Sequence, residues 1–433
     1  MKLEMATFPV KDVKFSKQTN YDNGVLNINK EELVAFILED KRIVDADVDV
    51  AFPGEQTRIV RIRDVVEPRV KVSGPGSVFP GILGPVITVG EGRTHRLSGV
   101  TVMPSVDYQP TIMHGTTAQA MGIVDMWGPG AQATPYGSTI NIVPVFKLID
   151  GISEVEAEAA IKLAECKLAQ RLAEATRNIT TESIDVYELS EVDSSLPRVV
   201  YVLSFLTLWS GLTSYVYFYG WPLHESLPTL VHPNEIFDGA MTTDGRQGGG
   251  TRTMTWMWQN QPVIKELFRE HGKRLNFLGV ILQRTFFTEE HGAHLTAEAT
   301  SQMAKLLGAE GAIITQSSPS GANWLNLVLT LQAFEKKGIK TAIATPEWGG
   351  NYGTETPLQM YVPEATAMVS TGAHDHAIEL PAPAKVIGGK YSQLVQLYSE
   401  EWINPRGELT LSRVDLTTGS DYFGNMSLSC REY

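Results

Sequence analysis

Residues 238–256, DGAMTTDGRQGGGTRTMTW, combine consecutive glycines with arginine side chains in one predicted loop. Backbone N–H groups of such a loop can converge on an anion, and a guanidinium binds a carboxylate, phosphate or sulfonate through two parallel hydrogen bonds. The stretch therefore predicts a site for a small anionic substrate, with Arg246 as a candidate catalytic residue. The predicted substrate-binding residues of the loop are Gly248, Gly249, Gly250, Thr251 and Arg252. The alternative is that these glycines only give backbone freedom to a solvent-facing loop.

His232 and Asp238 flank the segment PNEIF just before this loop and are further candidate catalytic residues. An imidazole or a carboxylate at this place can orient a substrate or transfer a proton. An ordinary turn with an Asx hydrogen bond explains Asp238 equally well. The predicted pocket lies between residues 238–252 and the segment GPGAQATPYG, in which Gly128 and Gly130 are candidate substrate-binding residues.

Other site chemistries fit the sequence less well. The loop has neither the Gly-Lys-[Ser/Thr] of a P-loop nor the G-x-G-x-x-G of a dinucleotide site, and the chain has no G-x-S-x-G nucleophile elbow. His291 and His294 stand three residues apart, a spacing that one helical face can use for a metal, but no third ligand is fixed by spacing. A metal site at these histidines is therefore only an alternative. The two cysteines, Cys166 and Cys430, form neither a CxxC cluster nor a disulfide framework.

Composition limits the partners of the protein. The 433 residues carry a formal net charge of −13, so nucleic acid and anionic membranes would repel the chain. No apolar run is long enough to cross a bilayer, and the N-terminal residues lack the apolar region of a secretory signal. We expect a cytoplasmic protein with two or three packed lobes that binds neither nucleic acid nor membrane.

The elements that must position the loop are predicted to form an α/β fold. Residues 1–150 contain short alternating runs such as VDADVDVAF and NIVPVFKLI, which indicate a β-rich N-terminal lobe. Residues 151–196 are predicted to be a long connecting helix and linker. Ser153 is the expected N-cap of this helix, and Glu156, three residues later, completes a capping box.

Residues 197–433 are predicted to form an α/β domain whose mainly parallel sheet is flanked by helices and which carries the glycine loop at 242–252. In this half, β-rich apolar runs alternate with helical ones: PRVVYVLSFL, NFLGVIL, TAEATSQMAKLLG, GAIITQ, NWLNLVLTLQAFEKKG and KTAIATPE. Directly after the loop, Met254, Trp256 and Trp258 alternate in a way that predicts one face of a strand. Such a face is expected to lie in the core or in a subunit interface.

The chain also resembles a known family along nearly its whole length. The stretches that carry the resemblance include KLEMATFPVKDVKF, DVDVAFPGEQTRIVRIRDVVEPRVKVSGPGSVFPG, HPNEIFDGAM, NQPVIKELFREHGKRLNFLGVIL and GIKTAIATPEWGG. They resemble the component B proprotein subunit of glycine, sarcosine and betaine reductases and, more distantly, the D-proline reductase proprotein. The resemblance implies a hetero-oligomer, with homo-oligomers also expected. In it a partner subunit carries selenocysteine or cysteine, and the complex reductively cleaves a C–N bond of an amino acid derivative.

In that family, an Asn-Cys step a few residues past the DGA motif cleaves itself, and the cysteine becomes a pyruvoyl group. Aligning HPNEIFDGAM and NQPVIKEL without a gap places Gly245 and Arg246 where the family has Asn and Cys. The cleavage needs a hydroxyl or thiol that attacks the preceding carbonyl and is then eliminated, and a guanidinium can do neither.

No serine or cysteine occurs from Leu227 to Thr300, and a threonine would yield a ketobutanoyl group instead. We therefore predict an uncleaved chain that has no pyruvoyl cofactor.

Three functions remain open. The chain is predicted to be an oxidoreductase subunit that, with a redox-active partner chain, supports thiol- or selenol-dependent reductive cleavage of a small anionic substrate. The first alternative is a non-catalytic scaffold subunit of such a reductase complex. The second is a stand-alone metal enzyme that uses His291 and His294.

Overall fold

The computed structural model describes residues 1–107, 122–206, 208–209, 212–213, 216–224, 226–244, 253–285, 290–316, 321–350, 352, 354, 360–373, 375–389, 407–426 and 429–430. This part of the chain contains both helices and strands, and the strands form several mixed sheets, which confirms the predicted α/β fold.

The strands of the N-terminal lobe are β1 Lys2–Pro9, β2 Asp12–Phe15, β3 Asn20–Asp22, β4 Val25–Ile28, β5 Ile43–Ala51, β6 Thr57–Ile62, β7 Arg69–Ser73, β8 Gly92–Ser98, β9 Val100–Val102, β10 Ser105–Asp107, β11 Gly122–Asp125, β12 Ile140–Leu148 and β13 Ile184–Glu188. They form a four-stranded sheet in the order β13-β1-β8-β7, a larger sheet built on β11-β6-β10-β12-β5, and the small sheet β2-β4-β3. The β-rich lobe predicted from the alternating runs is confirmed.

The strands of the second half are β14 Arg198–Leu206, β15 Leu208–Trp209, β16 Leu212–Thr213, β17 Val216–Phe218, β18 Trp221–Pro222, β19 Thr229–Val231, β20 Met241–Thr243, β21 Asn276–Thr285, β22 Gly311–Gln316, β23 Lys340–Glu347, β24 Met368–Ala373, β25 Ala377–Leu380, β26 Lys385–Ile387, β27 Leu409–Ser412 and β28 Ser429–Cys430. The main sheet has the order β19-β21-β14-β22-β23-β24-β28. Its five central strands are parallel and both edge strands are antiparallel, as predicted for a mainly parallel sheet.

The helices are α1 Lys30–Ile37, α2 Gly128–Gln132, α3 Glu154–Ala173, α4 Pro233–Phe237, α5 Thr255–Gln259, α6 Pro262–Glu270, α7 Glu290–Leu306 and α8 Gly321–Lys336. Among the described residues, 3₁₀ turns lie at Pro135–Ser138, Glu174–Thr176 and Arg413–Asp415.

Helix α3 begins where its capping residues predict. The Ser153 hydroxyl accepts a hydrogen bond from the Glu156 backbone N–H at 3.3 Å and donates one to the Glu156 carboxylate at 2.6 Å. The helix then packs on the N-terminal sheets through apolar residues three and four apart, including Ala157, Ile161 and Leu168. Strand β13, which follows α3, extends the sheet of β1.

The parallel sheet buries apolar side chains on both of its faces. On β14, Tyr201 and Leu203 point into a core shared with the N-terminal lobe. Val200 and Val202 point into a second core, formed with helix α8. Burial on both faces explains why these strands appear in the sequence as continuous apolar runs.

The prediction of a strand through Met254, Trp256 and Trp258 is wrong, because these residues lie at the start of helix α5 and within it. Met254, Met257 and Trp258 are buried, whereas Trp256 is only half-buried. The spacing of the buried side chains is therefore that of a helix, and the apolar residues of TMTWMW also fit this period.

Among the described residues, no helix is both long and apolar enough to cross a membrane.

Candidate functional site

The glycine loop itself lies outside the described residues. This applies to the following predicted site residues: Gly245, Arg246, Gly248, Gly249, Gly250, Thr251 and Arg252. The residues on either side of the loop, up to Asp244 and from Thr253, are described.

Hydrogen bonds hold the two ends of the loop together. The Thr243 backbone N–H, at the end of β20, donates to the Thr255 hydroxyl at 3.0 Å. The Trp258 indole N–H donates to the Thr243 hydroxyl at 2.8 Å. All three residues are buried. The described residues that precede and follow the loop are therefore fixed next to each other, and the residues around them form the candidate site.

A group of buried charged side chains holds Thr255, just after the loop, in place. Asp64 accepts a hydrogen bond from the Thr255 backbone N–H at 2.8 Å and a second one from the Thr255 hydroxyl. The same carboxylate forms an ion pair with Lys162 of α3, whose ammonium lies 3.3 Å from Glu165. We call Asp64, Lys162, Glu165 and Thr255 the stem cluster.

The pKa values within the stem cluster indicate how its protons are shared. Burial opposes the charge on Lys162, but the carboxylates of Asp64 and Glu165 outweigh burial and raise the pKa of Lys162. Burial raises the pKa of Glu165, and repulsion from Asp64 adds to this effect. The carboxylates around Lys162 therefore favour its protonated form. A lysine that stays protonated is a fixed positive charge and not an amine nucleophile.

A cavity of about 370 Å³ lies beside the departing end of the loop. Lys162 and Glu158 of α3 line one wall, and Tyr217, Thr242 and Asp244 line another. The Tyr217 hydroxyl donates to the Asp244 carboxylate at 3.0 Å. The Thr242 hydroxyl is buried and has no hydrogen-bond partner among the described residues.

The charges on the described cavity wall are balanced. Arg42 and Lys162 are cationic, and Glu158 and Asp244 are acidic. Arg42 is held by Asp40, to which its Nε donates at 2.9 Å. The described wall therefore does not by itself select an anion, and the predicted preference for one depends on the loop arginines.

His232 is the N-cap of helix α4. Its Nδ1 accepts a hydrogen bond from the Asn234 backbone N–H at 3.2 Å, and its own backbone N–H donates to Glu235 at 2.9 Å. Burial lowers the pKa of His232 to about 4. The ring is therefore neutral near pH 7, as an imidazole that accepts a backbone hydrogen bond must be.

Asp238 is fully buried at the other end of α4. Its carboxylate forms an ion pair with Lys71 and accepts hydrogen bonds from the Gly90 backbone N–H at 2.8 Å and the Thr94 hydroxyl at 2.5 Å. These contacts join α4 to the N-terminal lobe. They account for the buried carboxylate without a substrate, and through them Asp238 anchors the segment that leads to the loop.

Gly128 and Gly130 belong to helix α2, and neither lines the cavity. A Cβ at Gly130 would lie 2.8 Å from the Cβ of Asp125, so close packing explains this glycine. The same segment does reach the returning end of the loop, because Tyr136 packs edge-on against Trp256 with 5.6 Å between the ring centroids.

His291 and His294 are exposed on helix α7. The His294 Nε2 lies 3.3 Å from Glu290, one turn earlier. In the part of the chain that the structure describes, no group of three or more His, Cys, Asp or Glu side chains could hold a metal ion.

Sequence reasoning missed the stem cluster and most of the cavity wall. One available signal was the spacing of Glu158, Lys162 and Glu165, which places charged residues on the same face of α3 as its apolar residues. Ionisable side chains on a buried helix face require partners elsewhere in the fold. The sequence does not reveal that this partner is Asp64.

The chain is similar to known proteins over most of its length. A family model described as glycine/sarcosine/betaine reductase component B subunits matches residues 1–429. The glycine reductase complex component B subunits alpha and beta of Acetoanaerobium sticklandii are 36% identical over 400 residues, which cover 90% of this chain and 89% of that relative.

The sarcosine reductase complex component B subunit alpha of Peptoclostridium acidaminophilum is 33% identical over 399 residues, covering 90% of this chain and 89% of that relative. The betaine reductase complex component B subunit alpha of the same organism is 33% identical over 398 residues, covering 90% and 88%. A comparison with solved structures finds no match.

Proposed function

From the premise that this chain belongs to the family of glycine/sarcosine/betaine reductase component B subunits, we propose that it is a substrate-binding subunit of a related reductase complex. The complex reductively cleaves a small anionic substrate, and the thiol or selenol that does so belongs to a partner subunit. The chain remains uncleaved and uses no pyruvoyl group.

One observation carries the proposal that the pyruvoyl group is absent. A chain that matches the family model over residues 1–429 has no serine or cysteine between Leu227 and Thr300. Gly245 and Arg246 stand where the resemblance implies the cleaving pair. Near the loop, the buried Thr255 hydroxyl is already bound to Asp64 and Thr243. The residues present therefore do not fit a pyruvoyl group.

In the proposed reaction, the partner's thiolate or selenolate donates an electron pair to the substrate carbon that bears the leaving group. The bond between this carbon and the leaving group breaks, and the leaving group takes up a proton. A second thiol then attacks the sulfur or selenium and releases the carbon, which also takes up a proton. The sulfur of the second thiol is then bonded to the partner's sulfur or selenium as a disulfide or selenenyl sulfide. Oxidation of these two groups supplies the two electrons that reduce the substrate.

This chain's own residues hold the substrate for that attack. Arg246 and Arg252 bind its anionic group through parallel hydrogen bonds. Within the cavity, the Thr242 hydroxyl and the hydrogen-bonded pair of Tyr217 and Asp244 orient the rest of the molecule.

Two measurements test the proposal. Intact-mass spectrometry of the purified protein should show one chain, and two fragments split beside residue 246 would contradict the absence of a pyruvoyl group. The protein is then mixed with the candidate partner subunit, a dithiol and a small anionic substrate. Arg246→Lys keeps the charge but loses bidentate binding, so we expect KM to rise by about tenfold or more.

Unchanged turnover in Arg246→Leu would exclude a substrate-binding role for this arginine. Arg274→Leu, at an exposed arginine that does not line the cavity, is the matched control and should leave turnover unchanged.

A non-catalytic scaffold is the second candidate function, and the balanced charge of the described cavity wall favours it. A scaffold would form a stable complex with the partner subunit without reduction of any candidate substrate. Co-purification without thiol-dependent turnover would therefore decide for this alternative.

A further inference from the structure

The C-terminal sheet carries a row of buried polar side chains near the carboxyl ends of its parallel strands. Ser204 of β14 lies in register with Gln283 of β21 on one side and with Gln316 of β22 on the other. Continuing the register by one residue places Thr345 of β23 beside Gln316, and Thr345 pairs with Ser370 of β24. Paired residues of neighbouring strands point to the same face of a sheet, so the row is continuous.

The two glutamines of this row differ in their hydrogen bonds. The amide of Gln283 donates to Ser204 at 2.9 Å and to Thr330 at 3.2 Å, and it accepts from Thr300 at 2.7 Å. Gln316 is equally buried, yet neither its Oε1 nor its Nε2 has a partner among the described residues. A buried amide without partners is costly, so Gln316 requires an explanation.

Helix α8 places two more amides of this kind above the row. Asn323, Asn326 and Thr330 are buried and lie on one helix face, because they are three and four residues apart. Thr330 contacts Gln283 and therefore marks the level of the row. Asn326 and Asn323 lie about one and two turns nearer the start of the helix, which is at the carboxyl edge of the sheet.

Both side-chain polar atoms of Asn326 and the Oδ1 of Asn323 have no hydrogen-bond partner in the described part of the chain. We call Gln316, Asn323 and Asn326 the edge amides. Together they present unused N–H donors and unused carbonyl acceptors at one end of the sheet.

The order of the strands gives independent support for a binding site there. The parallel strands lie in the order β21-β14-β22-β23-β24. From β14 the chain passes to β21 on one side, and then crosses over to β22, β23 and β24 on the other. The direction of the connections therefore reverses between β14 and β22. In open α/β sheets, ligands bind outside the carboxyl ends of the strands at such a reversal. Gln316 is the last residue of β22.

We propose that the edge amides form a second binding site, for a small uncharged ligand with a planar edge of alternating N–H donors and acceptor atoms. Nucleobase-type rings have such an edge, and Asn and Gln side chains recognise it through paired hydrogen bonds. The edge amides carry no charge that could offset a buried ionic group, so an uncharged ligand is favoured. This site lies on the α8 face of the sheet, whereas the stem cluster lies against α3.

Binding of adenosine and riboflavin to the full chain tests the proposal, because a purine and an isoalloxazine each present a donor and acceptor edge. Isothermal titration calorimetry should detect one of them at a 1:1 ratio, and ribose alone should not bind. Gln316→Met should weaken the binding by about tenfold or more through the lost hydrogen bonds. Failure of both compounds to bind, or equal binding by Gln316→Met, would overturn the proposal.

Thermal unfolding without ligand gives a second readout, with Gln283→Met as the matched control from the same row. Gln283→Met should lower the melting temperature, because it removes hydrogen bonds that the structure shows. Gln316→Met should leave the melting temperature unchanged or raise it, because it removes an amide without partners. A similar fall in both variants would mean that Gln316 is satisfied in the free protein, and this would also overturn the proposal.

Discussion

Two buried polar groups, the stem cluster and the edge amides, occupy comparable depths in this molecule and differ in how far their hydrogen-bonding capacity is used. In the stem cluster, Asp64 is bound by Thr255 and Lys162, and Lys162 is bound in turn by Glu165. Gln316 and Asn326, among the edge amides, have no partners within the described residues.

The difference separates two reasons for burying polar atoms. A fully paired cluster fixes geometry, and here it holds the ends of the glycine loop beside the cavity. Amides without partners lower stability, so a fold that retains them is expected to use them for binding. Whether buried polar groups have hydrogen-bond partners, more than how deeply they are buried, distinguishes a structural cluster from a candidate binding site.

The largest expected effect comes from breaking the stem cluster. Lys162→Met leaves the carboxylate of Asp64 buried without its cation, so the free energy of unfolding should fall by about 3–5 kcal/mol. Chemical denaturation monitored by tryptophan fluorescence measures this change. Lys385→Met, which removes the exposed ion pair with Asp49, is the control and should cost less than about 1 kcal/mol. Equal effects would show that the stem cluster contributes no more than a surface pair.

A smaller expected effect tests whether the hydrogen bonds of a buried threonine beside the loop, and not its burial alone, stabilise the fold. Thr255→Val removes the hydroxyl that donates to Asp64 and accepts from Thr243, so we expect a loss of about 1–3 kcal/mol. Thr253→Val is the matched control, because the Thr253 hydroxyl is buried without a partner among the described residues. This control should be neutral or stabilising. If both variants lose the same stability, the contrast between paired and unpaired groups fails.

The smallest expected effect concerns the pH dependence of the α4 cap. The pKa of His232 falls from 6.5 to about 4 on folding, so the unfolded chain binds a proton there more readily than the folded one. Stability from this residue is therefore complete above pH 6.5 and is lost as the pH falls toward 4. Partial exposure of the ring reduces the effect through solvent screening.

His232→Asn keeps a good N-cap residue and removes the titration. Melting temperatures of the wild type and this variant between pH 7 and pH 4 isolate the contribution of the ring. The wild type should lose more stability than the variant over this interval, and parallel curves would contradict the assignment.

Much of the fold could be predicted because its signals are local. The cap at Ser153 and the apolar spacing of α3 follow from residues within one helix. The alternation of apolar strands with helices from Arg198 to Glu347 likewise gave the parallel sheet. The short segment 254–258 was misassigned as a strand, because few apolar residues fit both periods and contacts with the core decide between them.

The candidate site was less predictable, because its residues are distant in the chain. Asp64 and Thr255 are separated by 191 residues, and Asp64 and Lys162 by 98. No short motif relates such positions. Asp238 and His232 were predicted as candidate catalytic residues, and their contacts in the structure are those of an anchor and a helix cap.

The amino-acid sequence by itself carries the proposal that no pyruvoyl group forms, because that group arises from serine or cysteine and neither occurs from Leu227 to Thr300. Only the tertiary structure decided which polar groups are paired and which remain available. Pairing depends on distances between strands and helices that fold together from remote parts of the chain, and composition and local periodicity do not contain those distances.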